Sequence, residues 1–147
     1  IGFILKIEFK SVKVEISKRA GSSRYEQKSY LGIPMFVVVP ADMLASKLSA
    51  LLTRRKLAMR DVYDLWFFLK NTWVISEAIV LEKTGLSLQK SLDDAIKKVS
   101  LITKNQVLQG IGDLIDSKQK SWIREKLVSE TLFYLRLTRK NLPVVST

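Results

Sequence analysis

The 147-residue sequence contains no cysteine and no histidine. The absence of cysteine excludes disulfides, thiolate catalysis and cysteine-ligated zinc sites, and the absence of histidine removes the commonest general base. Hydrophobic runs are short, and none reaches the length of about 18 residues that a membrane span requires. No secretory signal pattern is present at the start, so we expect a cytoplasmic protein without a membrane partner. Any catalysis must use carboxylates, lysine, hydroxyl groups or a hard cation such as Mg²⁺.

Acidic residues are also scarce, since 14 Asp and Glu stand against 25 Lys and Arg and leave a net charge of +11. A charge of this size favours a polyanionic partner such as a nucleic acid or a nucleotide. A lysine-rich surface that only keeps the protein soluble accounts for the same charge. The composition alone therefore leaves both explanations open.

The first forty residues carry the hydrophobic pattern of β-strands. Strict alternation over residues 12–16 places Lys13 and Glu15 on one face, opposite the valines. A weaker strand pattern follows at residues 25–30. The apolar run at residues 33–39 predicts a buried strand, and proline ends it.

From Asp42 the hydrophobic period becomes helical, and no later segment has a strand pattern. The sequence thus predicts an α+β protein, with a partial sheet and a first helix in residues 1–56 and a helical bundle in residues 57–147. After the first two helices, we expect a third helix that starts at Ser76 and stops at Gly85. Two more follow over about residues 88–99 and 104–115, and a long helix covers about residues 118–137. The residues of this last helix that we expect to face the core are Trp122, Ile123, Leu127, Leu132 and Leu135.

Lys47 lies at the edge of the apolar stripe of the first helix, where its stem packs and its ammonium reaches a neighbouring cleft. A lysine so placed can hold nucleotide phosphates as a compact point charge, but the helix pattern alone is also explained by an ordinary border lysine. Asp42 stands at the start of the same helix. The helix dipole accounts for a carboxylate there without any further role.

Asp61 and Asp64 are three residues apart and share one face of the second helix. The apolar and aromatic residues around Asp64 predict that it is partly buried and paired with Arg60 or Lys47. A structural ion pair and an active-site role both account for that arrangement. Glu15 is a candidate magnesium ligand, because two-metal phosphoryl transfer needs about three converging carboxylates, although most carboxylates on exposed sheet faces have no such role.

The connector between the first two helices is basic, and its cations are suited to grip a nucleic-acid or nucleotide backbone. Cations are also favoured at the end of a helix, which explains part of the cluster without any ligand. The candidate nucleic-acid-binding residues are Arg54, Arg55, Lys56 and Arg60.

Taken together, three segments resemble the AbiEii/AbiGii family, nucleotidyltransferase-fold proteins known as toxins of type IV toxin–antitoxin and phage-defence systems. The segments are VKVEISKR at residues 12–19, VPADMLASKLSALLTRRK at residues 39–56 and RDVYDLWFFL at residues 60–69. They match the family's Lys-x-acidic motif at Lys13 and Glu15, its Asp-hydrophobic-x-x-x-Lys motif at Asp42, Met43 and Lys47, and its Arg-Asp-hydrophobic-x-Asp motif at Arg60, Asp61 and Asp64.

The resemblance implies Mg²⁺-dependent transfer of a nucleotide from a nucleoside triphosphate to RNA or protein. It implies that Lys47 holds the triphosphate, with Lys13 and Asp42 as further nucleotide-binding residues, and that Glu15 is a metal-side carboxylate. Asp61 or Asp64 would complete the catalytic site, and an antitoxin protein would be a partner.

The family's first motif, a Gly-Ser turn followed by a paired-aspartate strand, has no counterpart in this sequence. Gly21-Ser22 follows the Glu15 strand and has no aspartate after it until Asp42. Without the aspartate pair, a two-metal centre does not assemble. Because the chain also begins with Ile1, we expect the C-terminal portion of a nucleotidyltransferase, as a fragment or a truncation, that is inactive alone and binds Mg²⁺ only when the first motif is supplied.

Two other functions fit the same residues. One is a non-catalytic basic module that binds nucleic acid or a partner protein, and the other is an interaction protein whose exposed sheet edge pairs in a homodimer. The enzyme-derived interpretation predicts Glu15, Lys47 and Asp64 around one cleft. The binding module predicts that they lie apart.

Overall fold

The computed structural model describes residues 2–7, 10–15, 23–107 and 117–142, with side chains described for residues 23–107 and 119–142. Within these ranges the strands come first and the helices follow, as predicted for an α+β protein. The strands form two separate antiparallel pairs, one of β1 with β2 and one of β3 with β4. Their bounds are β1 (Gly2–Ile7), β2 (Lys10–Glu15), β3 (Tyr25–Tyr30) and β4 (Ile33–Val38).

The second pair is a tight hairpin in which Tyr30 faces Ile33. Its two turn residues, Leu31 and Gly32, have φ angles of 50° and 79°. Two successive positive φ angles define the type I′ turn, whose twist matches that of the flanking strands. Gly32 adopts this conformation without steric cost, whereas Leu31 does so against the preference of a side chain with a Cβ.

The prediction of a buried strand at residues 33–39 is wrong in its burial. The strand β4 forms there, but Ile33 is 55% exposed and Phe36 is 76% exposed, and only its last two residues are half-buried. An apolar run becomes buried only where another layer packs on it. Here β4 packs extensively only against β3 among the described elements, and apart from the β1–β2 pair the remaining extensive contacts are between helices.

The helices begin where the strand pattern ends. Pro40 occupies the first turn of the first helix, after an extended Val39, a position that suits proline because its missing N–H is not needed there. The bounds are α1 (Pro40–Thr53), α2 (Met59–Lys70), α3 (Glu77–Thr84), α4 (Leu88–Ser100), α5 (Lys104–Val107), α6 (Ser117–Trp122), a π-helical turn (Ile123–Leu127) and α7 (Val128–Lys140).

The predicted ends of α3 are confirmed. Ser76 is its N-cap residue, and Gly85 ends it with a φ of 71° in the left-handed region. Of the helix expected over residues 104–115, the structure describes α5, and residues 108–115 lie outside the described residues. The predicted long C-terminal helix is present as a continuous helical path that the π-helical turn divides into α6 and α7.

The hydrophobic core lies between the helices. Helix α1 packs against α2, α3 and α4, and α7 packs against α2 and α4. Of the C-terminal residues predicted toward the core, Ile123, Leu127 and Leu135 are fully buried, and Trp122 and Leu132 pack half-buried at its border. Across the described helices, none combines the length and apolarity needed to cross a membrane. The proposed boundary between residues 56 and 57 stays a prediction.

Candidate functional site

The packing of α1 on α2 brings four charged side chains together. Lys47 Nζ lies 2.6 Å from Asp64 Oδ2 and 3.9 Å from Asp61 Oδ1. Arg54 Nη1 lies 3.2 Å from Asp61 Oδ2. We call Lys47, Arg54, Asp61 and Asp64 the charged cluster.

The ends of two packed helices explain why these residues meet. Lys47 lies on α1, and Arg54 is the C-cap residue directly after it, with an extended backbone. Asp61 stands in the first turn of α2, where the helix dipole favours a carboxylate, and Asp64 follows one turn later on the same face. The cation on α1 and the cation at its end therefore meet the two carboxylates of α2.

The members of the charged cluster differ in exposure. The side chain of Asp61 is 1% exposed, whereas those of Asp64, Lys47 and Arg54 are 31%, 33% and 40% exposed. Within the described part of the chain, neither oxygen of Asp61 accepts a hydrogen bond of good geometry, although each lies near a cation. The site thus consists of a buried carboxylate at its base and three half-exposed charged groups at its rim.

This arrangement suits the binding of an anion. A ligand phosphate can reach the two rim cations from solvent and can replace Asp64 as the counter-ion of Lys47. The predicted pairing of Asp64 with Lys47 is confirmed by the 2.6 Å contact, and Arg60, the other predicted partner, is exposed. The structure thus joins Lys47 and Asp64 at one site.

Asp42 has a different environment. It is fully buried in the first turn of α1, and it accepts hydrogen bonds from the Arg24 backbone N–H at 2.7 Å and from Arg24 Nη2 at 2.9 Å. These bonds, above all those from the guanidinium, hold the pKa of the Asp42 carboxyl below its usual value, against the opposing effect of burial. Its contacts tie the base of the β3–β4 hairpin to α1, and its predicted nucleotide-binding role stays a prediction.

Sequence analysis did not find two of the cations that shape this region. Arg24 lies in a polar segment with no periodic pattern, so no signal linked it to Asp42, which is 18 residues away. Lys98 on α4 donates to the carbonyl oxygens of Leu52 at 3.1 Å and Arg54 at 3.2 Å. It thereby satisfies carbonyl groups at the end of α1 that the helix leaves free. The other cations predicted to bind nucleic acid, Arg55, Lys56 and Arg60, are exposed.

The two predicted residues on β2 are described by their backbone alone. Lys13 pairs with Ile4 and Glu15 pairs with Gly2 in the β1–β2 ladder. Their side chains lie outside the described ones, so their predicted roles stay predictions.

Whether the site could bind a magnesium ion depends on how many carboxylates lie close together. Where side chains are described, no three Asp or Glu residues come together as a metal site. The charged cluster supplies only one accessible carboxylate, that of Asp64, beside two cations. These residues on their own do not fit Mg²⁺.

Comparison with known families agrees with the motifs. The family model described as "Nucleotidyl transferase AbiEii toxin, Type IV TA system" matches residues 3–127, most of the chain. The chain belongs to the AbiEii nucleotidyl transferase toxin family. No curated protein and no solved structure matches it.

Proposed function

We propose that this chain forms part of the nucleoside triphosphate site of a nucleotidyltransferase and that Lys47 holds the phosphates. One observation carries the proposal: the half-exposed Lys47 ammonium lies at an interhelical junction, 2.6 Å from a half-exposed carboxylate. A structural ion pair accounts for the same contact, and what favours a ligand role is that the ammonium and its partner carboxylate are both open to solvent. Membership of the AbiEii family supplies the reaction class that this geometry serves.

In the proposed reaction, Asp64 orders the site through Lys47, and Glu15 contributes a metal-side carboxylate. In this proposal Mg²⁺ binds only where the missing paired-aspartate motif is supplied, because the described residues of this chain do not form a metal site by themselves. The 147 residues contain no Gly-Ser turn with a following Asp-x-Asp pair. Transfer to RNA or protein therefore belongs, in this proposal, to a polypeptide that carries both that motif and the residues of this chain. The proposed setting is the cytoplasm, with an antitoxin protein as the regulating partner.

Nucleotide binding by the chain tests the proposal. Lys47→Ala should weaken the binding of ATP, GTP, CTP or UTP at least tenfold, because the replacement removes a cation from the phosphate site, a loss of about 1.4 kcal/mol or more. Isothermal titration calorimetry at low salt measures the affinity. Lys97→Ala, which removes an exposed lysine on α4, is the matched control and should change the affinity little. Equal affinity of the Lys47→Ala variant and the control would refute the proposal.

A non-catalytic role in nucleic-acid binding is the second candidate. The observation in its favour is that Arg55, Lys56 and Arg60 are exposed on or next to one short connector. Replacing all three with Ala should reduce the affinity for a single-stranded RNA and flatten its salt dependence, because about three phosphate contacts disappear. Fluorescence anisotropy over a salt series measures both. If RNA binding is lost in this triple variant while Lys47→Ala leaves nucleotide binding intact, the second candidate replaces the first.

A further inference from the structure

We propose that Arg54 is a second phosphate-binding cation of the site and that Asp61 is a positioning residue that holds Arg54 and Lys47 side by side. This inference rests on the proposed function and extends it. The two aspartates of α2 then have different roles. Asp61 holds the two cations in place, and Asp64 is displaced from Lys47 when the phosphate binds.

The first argument is the burial of Asp61. With 1% of its side chain exposed, its carboxylate cannot exchange one counter-ion for another in solvent. A buried carboxylate is costly unless nearby cations compensate its charge. Its two oxygens are directed to two different cations, Oδ1 to Lys47 and Oδ2 to Arg54. The buried charge therefore acts as a fixed bridge between the two.

The second argument is the contrast with Asp64. It is one helical turn further along α2, is 31% exposed and touches only one of the two cations, Lys47 at 2.6 Å. An incoming phosphate can displace this carboxylate into solvent. Lys47 keeps its place during the exchange, because the more distant Asp61 still attracts it at 3.9 Å.

The third argument is the geometry of Arg54. One guanidinium nitrogen, Nη1, faces Asp61, and 40% of the side chain is exposed. A guanidinium carries five N–H donors in a planar fork, so donors remain for phosphate oxygens. The backbone of Arg54 is also fixed, since Lys98 donates to its carbonyl oxygen at 3.2 Å. Arg54 is thus held at its backbone carbonyl by Lys98 and at its guanidinium by Asp61.

Binding of inorganic tripolyphosphate, which has neither base nor ribose, tests the role of Arg54. Arg54→Ala should weaken binding at least tenfold, as Lys47→Ala should, and Arg54→Lys should bind with intermediate affinity because it keeps the charge without the fork. Arg136→Ala, an exposed arginine on α7, is the control for a lost surface charge. If Lys47→Ala weakens binding and Arg54→Ala equals the control, this inference fails and the proposed function stands. If neither variant weakens binding, the proposed function fails as well.

A matched pair of neutralising variants tests the division between the aspartates. Asp64→Asn should tighten tripolyphosphate binding severalfold, because it removes the anion that competes for Lys47. Asp61→Asn removes the same charge but should weaken binding severalfold, because the two cations lose their bridge. Circular dichroism checks that each variant is folded, and the result for Arg54→Lys remains decisive should Asp61→Asn fail to fold. Tighter binding by both variants would overturn the positioning role.

Discussion

At the scale of single residues, the two carboxylates that are buried among the described side chains are neutralised in different ways. Asp42 accepts well-formed hydrogen bonds from Arg24, whereas Asp61 lies near two cations without a bond of good geometry among the described residues. A buried charge that accepts hydrogen bonds contributes to stability, because the bonds compensate the free energy of removing it from water. A buried charge that only lies near a counter-ion is compensated less fully. Asp42 is therefore suited to a structural role, and Asp61 to a fixed position between two cations of the proposed site.

The pH dependence of stability should reveal the contribution of Asp42. Its pKa is lower in the folded protein than its usual value of 3.8, so the folded state binds this proton less readily than the unfolded state does. The stabilisation is complete above the unfolded pKa and is lost as the pH falls through the folded pKa. Asp42→Asn should lower the free energy of unfolding at pH 7 by about 1–3 kcal/mol and reduce the acid sensitivity.

Urea denaturation between pH 2 and pH 7 makes this measurement. Asp94→Asn is the control, because Asp94 pairs with Lys90 at 3.0 Å on the surface of one helix, where such pairs contribute about 0.5 kcal/mol or less. An Asp42→Asn variant as stable as the control at pH 7 would contradict the structural role.

At the scale of elements, the ends of the helices follow local rules. Gly85 closes α3 with a φ of 71°, and nothing lies within 4 Å of the position that a Cβ would occupy there. Replacement by Ala should therefore cost only the backbone strain of the left-handed conformation, about 1 kcal/mol. Thermal unfolding of Gly85→Ala measures the loss. Gly85→Asn should cost less, since Asn tolerates this conformation, and an equal loss in both variants would point away from backbone strain.

The features that could be predicted well from the sequence are those that depend on residues close to one another along the chain. Ser76 stands at the N-cap position of α3, although its side chain makes no cap hydrogen bond, and Gly85 ends the helix in the left-handed conformation. The leucine stripe of α1 follows from helical periodicity. The exposure of β4 was not predictable, because burial depends on which distant element covers a strand. The bond from Arg24 to Asp42 was equally hidden, since no periodic pattern relates a polar loop residue to a helix start.

The charged cluster was predicted in part for the same reason. The helical patterns placed Lys47 and Asp64 on two successive helices and predicted Lys47 or Arg60 as the partner of Asp64. The contacts of Asp61 with Lys47 and Arg54 were not predicted. The difference between a buried Asp61 and a half-exposed Asp64 is a matter of tertiary packing. So is the support that Lys98 gives to Arg54 from α4.

At the scale of the whole molecule, apolar surface is unevenly distributed. The described helices bury many of their apolar side chains in one core, although some, such as Phe133, are exposed. The β3–β4 hairpin keeps most of its large apolar side chains in solvent, including Phe36, Ile33 and Tyr30. A two-stranded hairpin of this kind gains stability when another strand or layer joins it. The homodimer predicted from an exposed sheet edge is consistent with this surface and stays a prediction.

Sedimentation velocity over a concentration series tests that prediction. We expect the chain to self-associate, and we expect Phe36→Lys to weaken the association at least tenfold, because it places a charge on the exposed face of β4. Phe133→Lys makes the same change at an exposed aromatic on α7 and should leave the association unchanged. Monomers at the highest concentration, or equal effects of the two variants, would rule out pairing through the hairpin.

The bridge that Asp61 makes between Lys47 and Arg54 has a consequence for how this protein can evolve. Loss of either cation leaves the buried carboxylate less compensated, and loss of the carboxylate leaves two like charges facing each other. Single changes at these three positions are therefore penalised, while a joint change to apolar residues is not. A lineage that abandons the site should therefore replace positions 47, 54 and 61 together.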